Sequence, residues 1–239
     1  MIKISRPHPR FALPDLIFFF LFFSFLCILL GFLSGCSPRR PLKEPPEPIY
    51  LGNVLVMPFQ DLQKTMGIDS SFRCPFLGSM HQVGKVEEKA AEFLTDRVFT
   101  FLDDEKKVRL IEPGQALGAR SAILSESIGE LTERELVLKI GRSVEAQSVI
   151  LGRIFQYRER AGTAYSVETP ASVAFDMILL RVSDGQVLWA DHFVETQKAL
   201  SENLFLLGTF LRRGGRWLTA DELADFGLKQ VFKTFPEPL

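Results

Sequence analysis

The longest apolar stretch of the chain lies near its start: from Leu16 to Leu33 only Ser24 and Gly31 interrupt it. Beyond it the pattern changes. Residues 37–48 read SPRRPLKEPPEP, polar and dense in proline, which favours extended polyproline geometry and marks a tether. Folded patterning begins at Tyr50. Val54, Leu55, Val56 and Met57 form a short apolar run closed by Pro58, as a buried strand would. Residues 60–82 show no clean period and contain Gly67, Pro75 and Gly78, so they read as a long connection, a length that is often functional.

Helical spacing follows. Val86, Ala90, Phe93, Leu94, Val98, Phe101 and Leu102 recur on one face, with Glu87, Glu88 and Lys89 opposite, predicting a helix over 86–102. Residues 107–111 predict a strand ended by Pro113. Residues 114–129 are rich in small side chains, with room for a short helix at 115–124. Thr132 and Glu135 form a capping box between Leu131 and Leu136, and the same device recurs at Thr219 and Glu222, so a helix should start at each. Residues 148–157 predict a strand. Residues 173–182 and 187–195 flank Asp184-Gly185, a short-range hairpin signal. Residues 200–213 predict a helix behind Ser201 as N-cap. The order gives the α/β class: a single domain over 50–239, with a mixed sheet that is parallel in part, a C-terminal three-strand meander, and helices packed on it.

The apolar start has its own logic. Lys3, Arg6 and Arg10 precede it, and Leu33-Ser34-Gly35-Cys36 closes it. A positive end, an apolar middle and small residues before a cut site make a secretory signal. About 18 apolar residues could also span a bilayer, so an uncleaved anchor helix is the competing reading. Small residues at Ser34 and Gly35 admit a peptidase, and the Cys36 thiol offers the nucleophile that lipidation needs. These four residues resemble the lipobox of bacterial lipoproteins. The resemblance implies a signal peptide over 1–35, cleavage between Gly35 and Cys36, and a covalent diacylglyceryl and N-acyl (palmitate-type) lipid on Cys36, with a tether over 36–49. Ser37, where Asp would signal inner-membrane retention, implies the outer membrane, facing the periplasm. Each buried methylene of the lipid contributes about 0.8 kcal/mol, enough in total for stable anchoring.

Removing the signal changes the composition. Eight of the 22 Phe leave with it, and 204 residues remain, with 25 basic against 28 acidic side chains and a formal charge of −3. That length suits one full core, and the charge carries no basic bias toward nucleic acid. Cys27 is removed and Cys36 lipidated, so Cys74 has no internal partner and is either buried or exposed and reactive.

Candidate chemistry is sparse. With Asp184-Gly185 as a two-residue turn, Ile178 pairs with Asp191 and Asp176 with Phe193, which sets Asp176 and Asp191 diagonally on one face. Paired carboxylates can share acid–base work; two polar positions near a sheet end is the plainer alternative. Gly78–Val86 has glycine spacing near that of a phosphate loop, but five residues separate Gly78 from Gly84 where the loop needs four, and Val86 stands where a metal-binding hydroxyl is required. Cys74 and His81 could be two zinc ligands, but no clustered third and fourth ligand completes a tetrahedron. No nucleophile elbow is present. Neither catalytic nor metal-binding residues are assigned, and no cofactor is expected beyond the lipid. Leu204, Phe205, Leu206, Leu207, Phe210 and Leu211, followed by Arg212, Arg213, Arg216 and Trp217, fit either a core helix with a basic end or a partner surface. Leu204, Leu207, Phe210, Arg212, Arg213 and Trp217 are the candidate partner surface.

The Val-Leu-Val-Met-Pro-Phe strand behind a lipobox resembles the periplasmic lipoproteins of the curli secretion channel and penicillin-binding-protein activator group. Ser148-Val149-Ile150-Leu151-Gly152-Arg153-Ile154 and the Leu179–Trp189 hairpin, with Asp184-Gly185 running into Val187-Leu188-Trp189, carry the same likeness. It implies a domain like the TolB amino-terminal domain, binding envelope proteins or assembling into homo-oligomers, without enzymatic activity. The channel branch needs two long alternating hairpins per subunit, which residues 114–129 and 159–172 are too short to supply. The expectation is a lipid-anchored, non-enzymatic accessory module for an envelope protein partner. The alternatives are an oligomeric secretion or assembly subunit and an envelope hydrolase acting through Asp176 and Asp191.

Overall fold

The structure is a computed structural model that describes residues 49–238 other than 107, 128, 165 and 198–215. The signal, Cys36 and the tether lie outside these residues. So do the helix expected over 200–213 and, with it, Leu204, Leu207, Phe210, Arg212 and Arg213.

Strands β1 (Asn53–Val56), β2 (Gln60–Asp61), β5 (Arg109–Ile111), β6 (Ser148–Arg158), β9 (Ser172–Arg181) and β10 (Val187–Thr196) build a six-stranded sheet in the order β10-β9-β6-β1-β5, with β2 continuing beside β6. β1 runs parallel to β5 and β6, and β9 runs antiparallel to both β6 and β10. The mixed sheet with a C-terminal meander is therefore the observed architecture. Two small hairpins stand apart from it: β3 (Ser71–Arg73) with β4 (Met80–Gln82), and β7 (Ala161–Gly162) with β8 (Val167–Thr169).

Alternation along the strands sorts side chains onto two faces. One face presents Val54, Val56, Ile150, Ile154, Phe175, Met177, Leu179, Trp189 and Phe193. Helices α2 (Ala90–Phe101) and α5 (Ala220–Val231) cover it with Leu94, Val98, Leu223 and Leu228. Rings fill the space between: Trp189 meets Phe235 at 5.0 Å, Phe232 meets Phe235 at 5.5 Å and Phe175 meets Phe193 at 5.7 Å between centroids. Each fully buried Leu or Phe contributes about 1.5–3 kcal/mol. The other face presents Leu55, Val149, Leu151, Ile178 and Leu180 to α3 (Pro113–Glu126) and α4 (Glu133–Ser143), through Ala116, Val137 and Ile140.

Both capping boxes form, Thr132 with Glu135 at α4 and Thr219 with Glu222 at α5. Helix α2 starts at Ala90 rather than 86, because Val86 pairs with Tyr157 as an isolated parallel bridge. Helix α3 is longer than the segment expected at 115–124, since Pro113 occupies its first turn, where a missing N–H costs nothing. The connection at 60–82 is structured: it contains β2, the short helix α1 (Leu62–Met66) capped by Asp61, and the β3–β4 hairpin.

The β9–β10 register corrects the expected geometry. The turn spans more than Asp184-Gly185, with the Arg181 N–H donating to the Gln186 carbonyl, and Leu188 is an extra residue between the pairs Leu180–Val187 and Leu179–Trp189. Asp176 consequently faces His192, and Asp191 faces Met177. A one-residue slip moves a side chain to the other side of the sheet. Asp191 accepts from the Thr234 hydroxyl on the aromatic face, while Asp176 lies on the opposite one. The two carboxylates cannot share a reaction.

Candidate docking site over a buried arginine

Arg153 is the seat of the site. It takes an inward position of β6 between Leu151 and Phe155, on the face of α3 and α4, and is 1% exposed. A guanidinium cannot shed its charge, so it must be paired. Its Nη2 donates to Glu133 Oε1 of α4 at 2.9 Å, and its Nη1 reaches Asp176 Oδ2 at 3.5 Å and Cys74 Sγ at 3.4 Å. Burial disfavours the charge, and the carboxylates of Asp176 and Glu133 outweigh that penalty and hold the pKa above its ordinary value. Asp176 is also 1% exposed. Burial pushes its carboxyl up to about 6, against the lowering pull of Arg153. Among the described residues Asp176 Oδ1 and Arg153 Nε have no hydrogen-bond partner.

The β3–β4 hairpin is built onto this cation. Each of its strands sends one residue inward, Phe72 and His81, which are register partners. Phe72 and Phe76 lie 5.4 and 5.2 Å from the guanidinium carbon of Arg153, in the geometry of cation–π contacts. Arg134 of α4 lies over the same Phe76 ring at 4.9 Å. His81 stacks on Phe155 with ring centroids 4.0 Å apart and shares a hydrogen bond with the Ser79 hydroxyl. Burial, then the neighbouring His192 and Arg153, lower the His81 pKa. Cys74 is buried beneath the hairpin turn, which settles the choice left open by the sequence.

The outer side of the hairpin is mixed, with Ser71, Arg73, Met80 and Gln82 exposed. Met66, Ile68, Leu77 and Met80 are exposed, Ile68 by 52% and Met80 by 62%. Arg73, the register partner of Met80, is exposed beside it. The cover is thus fixed beneath by Arg153 and carries aliphatic side chains outward.

Other candidates fare differently. Trp217 is half-buried, and its backbone is tied down: its N–H donates to the Ala164 carbonyl at 2.8 Å, and its carbonyl accepts from Arg160. Arg216 is ion-paired with Glu222. A hollow of about 630 Å³ near the start of β6 is lined by Ile49, Tyr50, Ala146, Val182 and Leu188, and Arg181 at its rim pairs with Asp184 at 3.2 Å. Among the described residues no group of three or more His, Cys, Asp or Glu side chains could hold a metal ion, and no helix is long and apolar enough to cross a membrane. Arg153 and the hairpin are what sequence reading missed. A charge at an inward strand position, matched by an opposite charge on the neighbouring strand, was the available signal.

No family model matches the chain, and no curated protein does. Solved structures similar to it include the LpoB C-terminal domain from Salmonella enterica, 18% identical, covering 64% of this chain and 88% of that one with a TM-score of 0.38. A PelC dodecamer from Paraburkholderia phytofirmans is 14% identical, with 81% and 94% covered and a TM-score of 0.42. Lipoprotein GNA1162 from Neisseria meningitidis is 12% identical, with 68% and 92% covered and a TM-score of 0.37.

Proposed function

We propose that the chain is a lipid-anchored, non-enzymatic module of the bacterial envelope. In this reading it is held at the outer membrane by the lipid on Cys36 and docks on another envelope protein through the outer side of the β3–β4 hairpin. The observation that carries the docking half is the exposure of Leu77 and Met80 on a hairpin whose inner side is buttressed by a buried cation, with Met66 and Ile68 exposed in the residues that lead into it. Large aliphatic side chains concentrated at a surface favour a protein partner. Arg73 beside Met80 calls for a partner patch that is apolar at its centre and acidic at its rim. The anchoring half is supported by Leu33-Ser34-Gly35-Cys36 behind an apolar run, and by Ser37. The absence of enzymatic activity is supported by the opposite facing of Asp176 and Asp191.

Crosslinked pull-down of the full-length protein from membranes tests the docking. A discrete partner is expected with the wild type and is expected to be lost with Met80→Asp and with Leu77→Asp, while both variants keep wild-type stability. Unchanged capture by both would remove the hairpin from the reading. Light scattering of the detergent-solubilised protein that gave a single closed ring of many copies would replace docking by self-assembly. Labelling with radioactive palmitate, lost in Cys36→Ala, tests the anchor.

A further inference from the structure

We propose that the outer edge of β10 is a strand-addition site. It takes an extended segment of a partner protein, apolar on the side of Val194 and basic on the side of Asp191 and Glu195, as a further strand of the sheet. This surface is separate from the outer side of the hairpin and uses none of its residues.

The sheet ends in two unlike edges. β5 is three residues long, whereas β10 runs for ten, from Val187 to Thr196. The ladder decides which β10 groups face outward. The Gln197 N–H donates to the Ala171 carbonyl, so the hydrogen-bonded pairs with β9 alternate from there: Glu195 with Val173, Phe193 with Phe175 and Asp191 with Met177. The other side of β9 agrees. The Val182 N–H donates to the Gln147 carbonyl, so Leu180, Ile178 and Asp176 bond to β6 and leave no backbone group for β10. The amides and carbonyls of Ala190, His192 and Val194 therefore point away from the sheet. The His192 N–H is met by its own neighbour, Asp191 Oδ1, at 2.8 Å. No such cover is found for the Ala190 and Val194 amides among the described residues.

Proteins blunt a long edge with lysine, proline, a bulge or a covering element. From Trp189 to Thr196 β10 has no lysine, no proline and no bulge. His192 is exposed, and Val194 is exposed by 64%. Val194 faces Ala174, which packs with Val83 and Phe155, so one side of an added strand would lie on apolar ground. Its other side would lie next to Asp191 and Glu195. Asp191 is held by a hydroxyl and an amide, not by a cation, and a basic side chain there is complementary. A second copy of this chain is the poorer occupant. The two-fold antiparallel register that engages Ala190, His192 and Val194 sets His192 opposite itself, where both N–H groups are already taken by Asp191. It also brings the two Asp191 carboxylates diagonally together on one face, where like charges repel.

Fluorescence anisotropy of labelled acetyl-Lys-Val-Lys-Val-Lys-Val-Lys-amide against the full-length protein in non-ionic detergent tests the site. Saturable binding is expected, and its absence overturns the proposal. Val194→Pro removes an outward N–H and leaves the β9 ladder whole, so it is expected to weaken binding about tenfold. Val194→Thr, which keeps that N–H on a strand-forming residue, is expected to stay within about twofold. N-methylation at the valines of the peptide, whose amides would face β10, should abolish binding, and N-methylation at its lysines should not. Equal binding by a folded Val194→Pro, or by both methylated peptides, would reduce the interaction to charge alone and overturn the proposal. If Val194→Pro does not fold, the methylated peptides decide on the wild type. A wild-type dimer in light scattering that Val194→Pro dissolves would overturn it in favour of a second copy. The assay makes no use of Met80 or Leu77, so it can fail while pull-down through the hairpin succeeds, and the reverse.

Discussion

The two faces of the sheet solve the same problem with different chemistry. Under α2 and α5 the interior is aliphatic and aromatic, and the carboxylates of Asp191 and Asp221 at its margin accept from the Thr234 and Tyr157 hydroxyls. Under α3, α4 and the β3–β4 hairpin the interior holds a guanidinium and a carboxylate, each 1% exposed, with an unpaired atom on both. The first face needs only complementary shape. The second needs every member of a charged set in place, because removing one partner leaves a buried charge alone. Both faces bury aliphatic side chains, and the second adds a buried ion pair. The polar face gives the hairpin a charged seat.

That contrast can be broken most directly at Arg153. Arg153→Ala is expected to cost about 3–5 kcal/mol, since Asp176 stays buried without its cation. The double variant Arg153→Met with Asp176→Leu should recover most of the loss, because an apolar pair of similar volume removes the desolvation penalty. Urea midpoints at constant m-value check both, and equal losses in the single and double variants would show that shape, not charge, governs this face too. Next in size is the control on the aromatic side: Leu223→Ala should cost about 2–5 kcal/mol, with no change in pH dependence between pH 5 and 8.

A smaller effect concerns protons. The Asp176 pKa of about 6 in the folded chain exceeds the ordinary value it has when unfolded. Between those values the folded state holds the extra proton, so its stability rises as pH falls. In the His81→Phe background, unfolding free energy should increase by about 1 kcal/mol from pH 7 to pH 5, and Asp176→Asn in that background should abolish the increase. The smallest expected change is at the surface. Met80→Asp should leave stability within about 0.5 kcal/mol while eliminating partner capture. A large loss of stability there would mean that Met80 packs rather than docks.

The sheet and its helices were legible because they are long enough to show a period. Val149, Leu151, Ile178 and Leu180 alternate with Ile150, Phe175, Met177 and Leu179, and both capping boxes announce helices that exist. The hairpin was not legible for the complementary reason. Its strands have three residues each and one inward side chain apiece, Phe72 and His81, so no period can develop. Pro113 was read as the end of a strand, which it is, but it also opens α3. Asp176 stood out in the sequence and was assigned the wrong neighbour, because the position of a bulge depends on how the turn closes and leaves no mark in the composition. Arg153 passed unnoticed inside an apolar run, where its pairing with Asp176 becomes visible only once β6 and β9 are aligned.

The extra residue at Leu188 bears on what mutation can do to this region. Substitutions along β10 are tested one side chain at a time, but a length change near the turn is tested on the whole strand at once. Losing a single codon there would carry Asp191, Phe193 and Glu195 to the largely exposed side now held by Ala190, His192 and Val194, turning Phe193 to water and His192 toward the aromatic interior. In this segment, variation in residue identity should be tolerated far more readily than variation in number.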